Sequence, residues 1–463
     1  MLTYELKKEP GKPLYESLYR CIREDILAGK LAPGEKLPSK RALSQHLEIS
    51  KVTVESAYNQ LLAEGYLSSR EKVGYFVEKN VCHHAISSPQ TVPSREPSSF
   101  PVDLLSNAAT GFPFSVWMKL QRQVMLDYGD RLLAPLPTQG YPELRGAIAA
   151  HLAAFRSLQV DPENIIIGAG TDFLYNLLIQ LLGRDRGYAL EDPGYGKIRL
   201  VYEAAGARCL AVPMDAQGVR PDGLEGADVL HCSPSHHFPT GIVTPTQRRQ
   251  QLLDWACAGA ERYIIEDDYD SEFRFHARPI PALMAMDRRE RVIYINTFSK
   301  TLAPSIRISY MILPDRLMER YLEKLGFYSC TVPSFEQYTL SRFLSEGHFE
   351  KHINRMRKFY RNRRNRVISI LEESPFAGRF TILEQDAGLH FLLRVDTILE
   401  TPELIEVCSR AGIRVESLGT YYDGPVPQWA EHCLVINYSG LEEENLSLAL
   451  NALAEGLENQ NQV

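Results

Sequence analysis

The sequence predicts a two-part chain: a small winged helix-turn-helix module, then a large α/β domain built on a mostly parallel sheet. Three observations carry this reading. Residues 1–79 hold three helix-patterned segments followed by two short β segments around a glycine. Residues 80–101, NVCHHAISSPQTVPSREPSSFP, are rich in Ser and Pro and poor in large apolar groups, the composition of a partly extended linker. From Val102 to the end at residue 463, short apolar runs bounded by Gly and Pro alternate with longer helical patterns. Examples are NIIIGAG then DFLYNLLIQLL, and DVLHCSP then TPTQRRQQLLDWACAG. Such βα alternation predicts a parallel sheet covered by helices.

Taken in order, Pro13 opens the first helix, with Leu14, Leu18, Ile22 and Ile26 on one face and Gly29 as its stop. Ser39 caps a short second helix that turns Leu43 and Leu47 inward. After a turn at Glu48-Ile49, Ser50 caps a third helix whose inward positions are Val54, Ala57, Tyr58, Leu61 and Leu62, ending at Gly65. YLSSREKVGYFV then reads as a hairpin tightened at Gly74. Two short helices across a tight turn, followed by a β-ribbon, make a winged helix-turn-helix. Its third helix would enter a major groove by its N-terminal end, where Lys51 and Thr53 point away from the apolar face. Ser39, Lys40 and Arg41 start the preceding helix, a place suited to phosphate, and Arg70 and Lys72 lie on the wing. Residues 1–80 hold 13 Lys/Arg against 11 Asp/Glu, while the remainder holds 38 against 47, so the positive charge is local. A helical protein-interaction module is the competing reading.

Composition narrows the classes. Hydrophobic residues at 44% and charged residues at 24% describe a folded chain, and 463 residues are too many for one ordinary core. The net charge of -7 gives no general attraction to nucleic acid. MLTYELKKEPGK is not a signal peptide, and the best apolar run, Leu174 to Leu182, is broken by Asn176 and Gln180. A cytoplasmic protein without membrane partners is expected. The eight cysteines form no Cys-x-x-Cys pair, so neither a disulfide frame nor a zinc site is expected.

Four segments of the large domain carry chemistry. In YINTFSKTLAPSIRISYMILP, an apolar strand (Val292 to Ile295) delivers Lys300, placed to form a Schiff base with an aldehyde cofactor. Thr297, Ser299 and Arg307 would donate to a phosphate. In IIEDDYDSEF, strand alternation puts Asp267 and Tyr269 on one face, where a carboxylate would keep a pyridine nitrogen protonated. A divalent-metal site of Glu266, Asp267, Asp268 and Asp270 competes, although consecutive strand carboxylates point to opposite faces. In IIIGAGTDFLYNLL, Gly168-Ala169-Gly170-Thr171 leads into a helix N-terminus that can hold phosphate. In EDPGYGKIR, Tyr195 follows a strand end and can stack on a flat ring. All four sit in chain order at strand ends, where open α/β sheets bind ligands.

The N-terminal segment KLPSKRALSQHLEISKVTVESAYNQLLAEGYL with GYFV resembles the GntR family of regulators. That resemblance implies contacts to operator DNA from Ser39, Arg41, Lys51 and Thr53, supported by Arg70 and Lys72. Residues 102 to 460 resemble the class I aminotransferase fold (type I), with a smaller C-terminal α+β subdomain from about residue 330. The resemblance implies pyridoxal 5'-phosphate as cofactor. Lys300 becomes its Schiff-base lysine, Asp267 the partner of its ring nitrogen, Tyr269 the contact to its phenolic oxygen and Tyr195 the stacking ring. Gly170, Thr171, Thr297, Ser299 and Arg307 become the phosphate holders, and no metal is implied. EDPGY, SPSHHFPTG, IIEDDYDSEF and TFSKTLAPSIR behind a GntR-type head resemble the MocR/GabR subfamily, which implies a head-to-tail homodimer.

Two positions depart from the aminotransferase pattern. Phe238 stands where the enzymes carry asparagine, and Val435, in CLVINYSG, stands where an arginine grips the substrate α-carboxylate. His390, Arg394, Lys197 and Arg199 are the remaining candidates for effector contacts. The sequence therefore predicts a regulator that senses an amino compound or pyridoxal phosphate itself. The alternatives are a working aminotransferase with an added DNA-binding domain, and a DNA binder whose large domain is only a scaffold.

Overall fold

The computed structural model describes residues 2–4, 6, 13–70, 73–78, 100–105, 111–274, 280–375, 377–385, 388–441 and 443–460. Lys72, expected on the wing, and residues 80–99 of the expected linker lie outside them. The chain divides into two compact units, Met1–Ser98 and Ser99–Val463.

In the first unit, α1 (Leu14–Leu27), α2 (Lys40–His46) and α3 (Lys51–Ala63) precede a hairpin of β1 (Leu67–Arg70) and β2 (Gly74–Val77). The expected caps are formed: Ser39 Oγ accepts from Ala42 N at 3.1 Å and Ser50 Oγ from Thr53 N at 3.1 Å. Leu18, Ile22, Ile26, Leu43, Val54, Ala57 and Leu61 are fully buried, whereas Leu14, Leu47 and Leu62 are only half-buried. Tyr58 binds the parts together. Its hydroxyl donates to Pro38 O at 3.0 Å, and its ring meets Tyr75 of the wing edge-on at 5.0 Å. Gly74 turns the hairpin at φ +135°, a region open to glycine.

The second unit is built on an eight-stranded sheet. Following β3 (Val102–Asp103), its strands are β4 (Ile165–Gly168), β5 (Gly187–Asp192), β6 (Arg208–Asp215), β7 (Gly218–Val219), β8 (Val229–Cys232), β9 (Tyr263–Asp267), β10 (Val292–Thr297) and β11 (Ser309–Ile312). Their order is β4-β11-β10-β9-β8-β5-β6-β7. β10, β9, β8, β5 and β6 run parallel, and β11 is antiparallel to both its neighbours. β8, β9 and β10 are buried along their whole length, as expected for strands covered on both faces. Following α4 (Phe114–Tyr128), the helices packed on the sheet include α5 (Pro142–Arg156), α6 (Thr171–Leu182) and α7 (Gly196–Ala204).

The remaining lobe carries the four-stranded antiparallel sheet β12-β13-β16-β15, from β12 (Phe380–Leu383), β13 (His390–Val395), β15 (Glu416–Ser417) and β16 (Cys433–Asn437). β14 (Ile413–Arg414) pairs in parallel with β3, Arg414 opposite Asp103, so the first strand of the unit packs with its C-terminal lobe. Among the described residues no helix is long and apolar enough to cross a membrane.

Candidate functional site

The C-terminal ends of β4, β5, β8, β9 and β10 open into a cavity of about 710 Å³. Thr171, Tyr195, Asp267, Tyr269, Thr297, Ser299, Lys300 and Arg307 all line it. The antiparallel strand β11 starts just after Arg307, and that return brings the arginine back beside the β4 turn.

Asp267 ends β9 and is buried. Its Oδ2 accepts from the Tyr175 hydroxyl and lies 3.4 Å from His231 Nε2, while Tyr202 OH and His231 Nδ1 are 2.8 Å apart. Its Oδ1 is buried without a hydrogen-bond partner. A buried carboxylate oxygen left unpaired is costly unless a donor completes it. Tyr269 reaches the same cavity from the turn after the strand, not by alternation within it, because β9 stops at Asp267. Its hydroxyl lies 3.2 Å from His236 Nδ1, which is 2.8 Å from Asp270 Oδ2.

Lys300 sits in the short helical turn after β10. Burial lowers its affinity for a proton, opposed in part by the Asp270 carboxylate. Beside it, Ser299 Oγ is buried and has no hydrogen-bond partner. Thr297 caps the turn, accepting from Ser299 N at 3.1 Å and from Ser309 Oγ at 2.8 Å. Arg307 adopts φ +50° and lays its guanidinium against Gly170, itself at φ +93°. A β-carbon at Gly170 would come within 2.0 Å of Arg307 Nη2.

The acidic run of IIEDDYDSEF is dispersed. Glu266 accepts from Leu283 N and Met284 N, Asp268 pairs with Arg156 at 3.0 Å, and Asp270 faces His236. No group of three His, Cys, Asp or Glu side chains suited to a metal converges among the described residues.

Several residues of the cavity escaped sequence reasoning. Asp172 Oδ2 lies 2.7 Å from Lys197 Nζ and 3.3 Å from Arg307 Nη2. Glu191 accepts from Ser233 N at 3.0 Å, and burial pushes its carboxyl up to about 8. Tyr175 stood one helical turn after Thr171, a legible signal, whereas His231 and His236 reach the site only through the sheet order. Among the four effector candidates, His390, Lys197 and Arg199 line the cavity, and Arg394 does not; it is exposed on β13. Val435 is buried in β16, with Leu392 and Glu416 directly opposite on its two sides.

On the first unit, Arg41 and Lys51 are exposed at the first turns of α2 and α3. Lys40 is instead tied inward, 2.7 Å from Glu55 and over the Tyr75 ring at 5.3 Å. Ser39 spends its hydroxyl on the α2 cap, and Thr53 Oγ1 lies 2.7 Å from Ser50 Oγ. Arg70 stacks on Phe76 of the wing at 4.6 Å.

Residues 101–453 match the family described as "Aminotransferase class I and II", and residues 14–77 match "Bacterial regulatory proteins, gntR family". The chain is 36% identical to the uncharacterized HTH-type transcriptional regulator YdeL of Bacillus subtilis, over 98% of each chain. It is 30% identical to the probable rhizopine catabolism regulatory protein MocR of Rhizobium meliloti, over 97% of this chain and 94% of that one. Among solved structures it is similar to a multiple substrate aminotransferase from Thermococcus profundus, with a TM-score of 0.69 and 23% identity, over 80% of this chain and 94% of that one.

Proposed function

From the premise that the chain belongs to the aminotransferase class I and II family, among the GntR-headed regulators related to MocR, we propose that it is a pyridoxal-phosphate-binding transcription regulator that senses an amino compound in its large domain. The observation that carries this reading is the convergence of Thr171, Ser299, Lys300, Arg307 and the unpaired Asp267 Oδ1 in one cavity, with Arg307 laid against Gly170 in a notch at its edge.

These residues fit the cofactor. The notch beside the α6 N-terminus offers N–H groups and a planar guanidinium to a phosphate, with the orphaned Ser299 hydroxyl beside it. When bound, pyridoxal phosphate supplies an amine-reactive aldehyde on an electron-withdrawing ring. Lys300 would hold it covalently through Nζ, and burial favours the neutral amine needed for that attack. Asp267 would hold a proton on the ring nitrogen, oriented by Tyr175 and His231. Tyr195 would cover the ring, and Tyr269 would donate to its phenolic oxygen. Gly170, Thr171 and Thr297 would shape the phosphate turn.

The first unit would read double-stranded operator DNA with α3, Arg41 and Lys51 supplying the exposed cations. Two heads are needed to read two half-sites, and the exposed apolar side chains Phe114, Met118, Met125 and Leu126 of α4 support a homodimer through the large unit. Regulation then requires only that ligand and DNA binding be linked in free energy. The test is spectroscopic: incubated with pyridoxal phosphate, the protein gains a visible band, and borohydride abolishes that band while leaving the cofactor attached to Lys300. A protein that stays colourless contradicts the proposal.

A further inference from the structure

Among the described residues, the cations lining the cavity other than Lys300 are matched by carboxylates. Lys197 and Arg307 share Asp172, at 2.7 and 3.3 Å. Arg199 is held by Asp423 at 2.6 Å and Glu203 at 3.3 Å, and Arg414 by Asp103 at 3.2 Å. Glu416 is the opposite case. It stands directly across from Val435, so the two side chains share a face of the sheet, and both line the cavity. It accepts from Tyr421 OH at 2.6 Å and meets no cation among the described residues.

An aromatic wall joins this carboxylate to the Lys300 end. Phe238 packs edge-on against Tyr421 at 5.2 Å on one side and His390 at 5.1 Å on the other, and meets Tyr195 at 5.8 Å. Tyr421 touches Glu416, and His390 feels the charge of Lys300. A ligand lying along this wall meets an amine-handling residue, then apolar rings, then an acceptor without a counter-charge. A carboxylate at the far end would face Glu416 with no uncommitted cation beside it. An ammonium there would complete the carboxylate and gain from the rings.

We propose, resting on the reading of the site given above, that the sensed compound is a diamine: one primary amine for the Lys300 end, a short aliphatic stem against Phe238, and a second ammonium held by Glu416 and Tyr421. The protein loaded with pyridoxal phosphate is titrated with cadaverine, pentylamine and δ-aminovalerate, followed by calorimetry and by the visible band. Cadaverine is expected to bind tighter than either of the others by about tenfold or more, the scale of a hydrogen bond to a charged group. Glu416→Gln, which keeps the shape, is expected to bring cadaverine down to the level of pentylamine, and Tyr421→Phe to weaken it less. Equal or tighter binding of δ-aminovalerate, a preference that survives Glu416→Gln, or no binding of any of the three overturns the diamine assignment. A protein that never gains the visible band overturns the cofactor reading and this one with it; one that loads but shows no diamine preference overturns this one alone.

Discussion

Gly170 and Arg307 are shaped to each other: the guanidinium occupies the space a side chain at 170 would need, leaving 2.0 Å between Nη2 and an added β-carbon. Arg307 is held in the left-handed region at φ +50°, a strained state for a non-glycine residue that persists only where surroundings enforce it. Gly170→Ala should therefore displace Arg307 and weaken pyridoxal phosphate by about 1.5–3 kcal/mol, the scale of a hydrogen bond to a charged group. A cofactor titration followed at the visible band checks this, with thermal unfolding of the apoprotein as the control for folding. Unaltered affinity would show that the notch is not the phosphate seat.

Glu191 predicts a pH dependence of stability. Its folded-state pKa is raised to about 8 by burial. The folded protein therefore keeps a proton that the unfolded chain releases near the usual carboxylate range. Between those two values the folded state binds more protons, so this group's contribution is full at low pH and is lost as pH rises toward 8, at about 1.4 kcal/mol per pH unit at most. Glu191→Gln should flatten the fall in apoprotein Tm between pH 5 and 8 and leave the variant more stable than the wild type at pH 8. Parallel curves for the two proteins would contradict this.

The two neighbouring cations of α2 should behave differently. Lys40 is committed to Glu55 and the Tyr75 ring, whereas Arg41 projects outward. Arg41→Ala and Lys51→Ala should each weaken binding to promoter DNA by on the order of 1–3 kcal/mol if they read base edges. Lys40→Ala should act chiefly on the stability of the head. Fluorescence anisotropy at several salt concentrations separates these: a pure phosphate contact lowers affinity for all sequences and reduces the salt slope.

Much of this was legible because the informative residues are local. Caps at Ser39 and Ser50, the strand–loop–helix at Gly168 to Thr171, and Lys300 after an apolar strand all follow from short-range rules. What was not legible depends on strand order. His231 meets Asp267 because β8 and β9 are neighbours, and β3 joins the C-terminal lobe across some 310 residues, which no local pattern encodes. Tyr269 lines the cavity from the turn after β9 rather than by alternation within it, since the strand ends two residues before it. Arg394 shares a strand with His390 but is its single exposed residue and lies outside the cavity lining.

Sustained transamination of common α-amino acids is not expected. Val435 offers no donor for an α-carboxylate, and leaving that group buried and unpaired costs roughly several kcal/mol. A panel of amino acids with a keto-acid acceptor should give turnover well under about 1 per second, below the usual enzyme range. Faster turnover would identify the chain as an enzyme with an added DNA-binding head.

If the cofactor site governs DNA binding, the affinity of the full-length protein for DNA flanking its own gene, measured with and without pyridoxal phosphate in wild type and Lys300→Ala, reports it. Loading should change wild-type affinity by about fivefold or more, the lower end of allosteric coupling, while the variant should show no such change. Identical affinities for loaded and unloaded wild type would contradict the account.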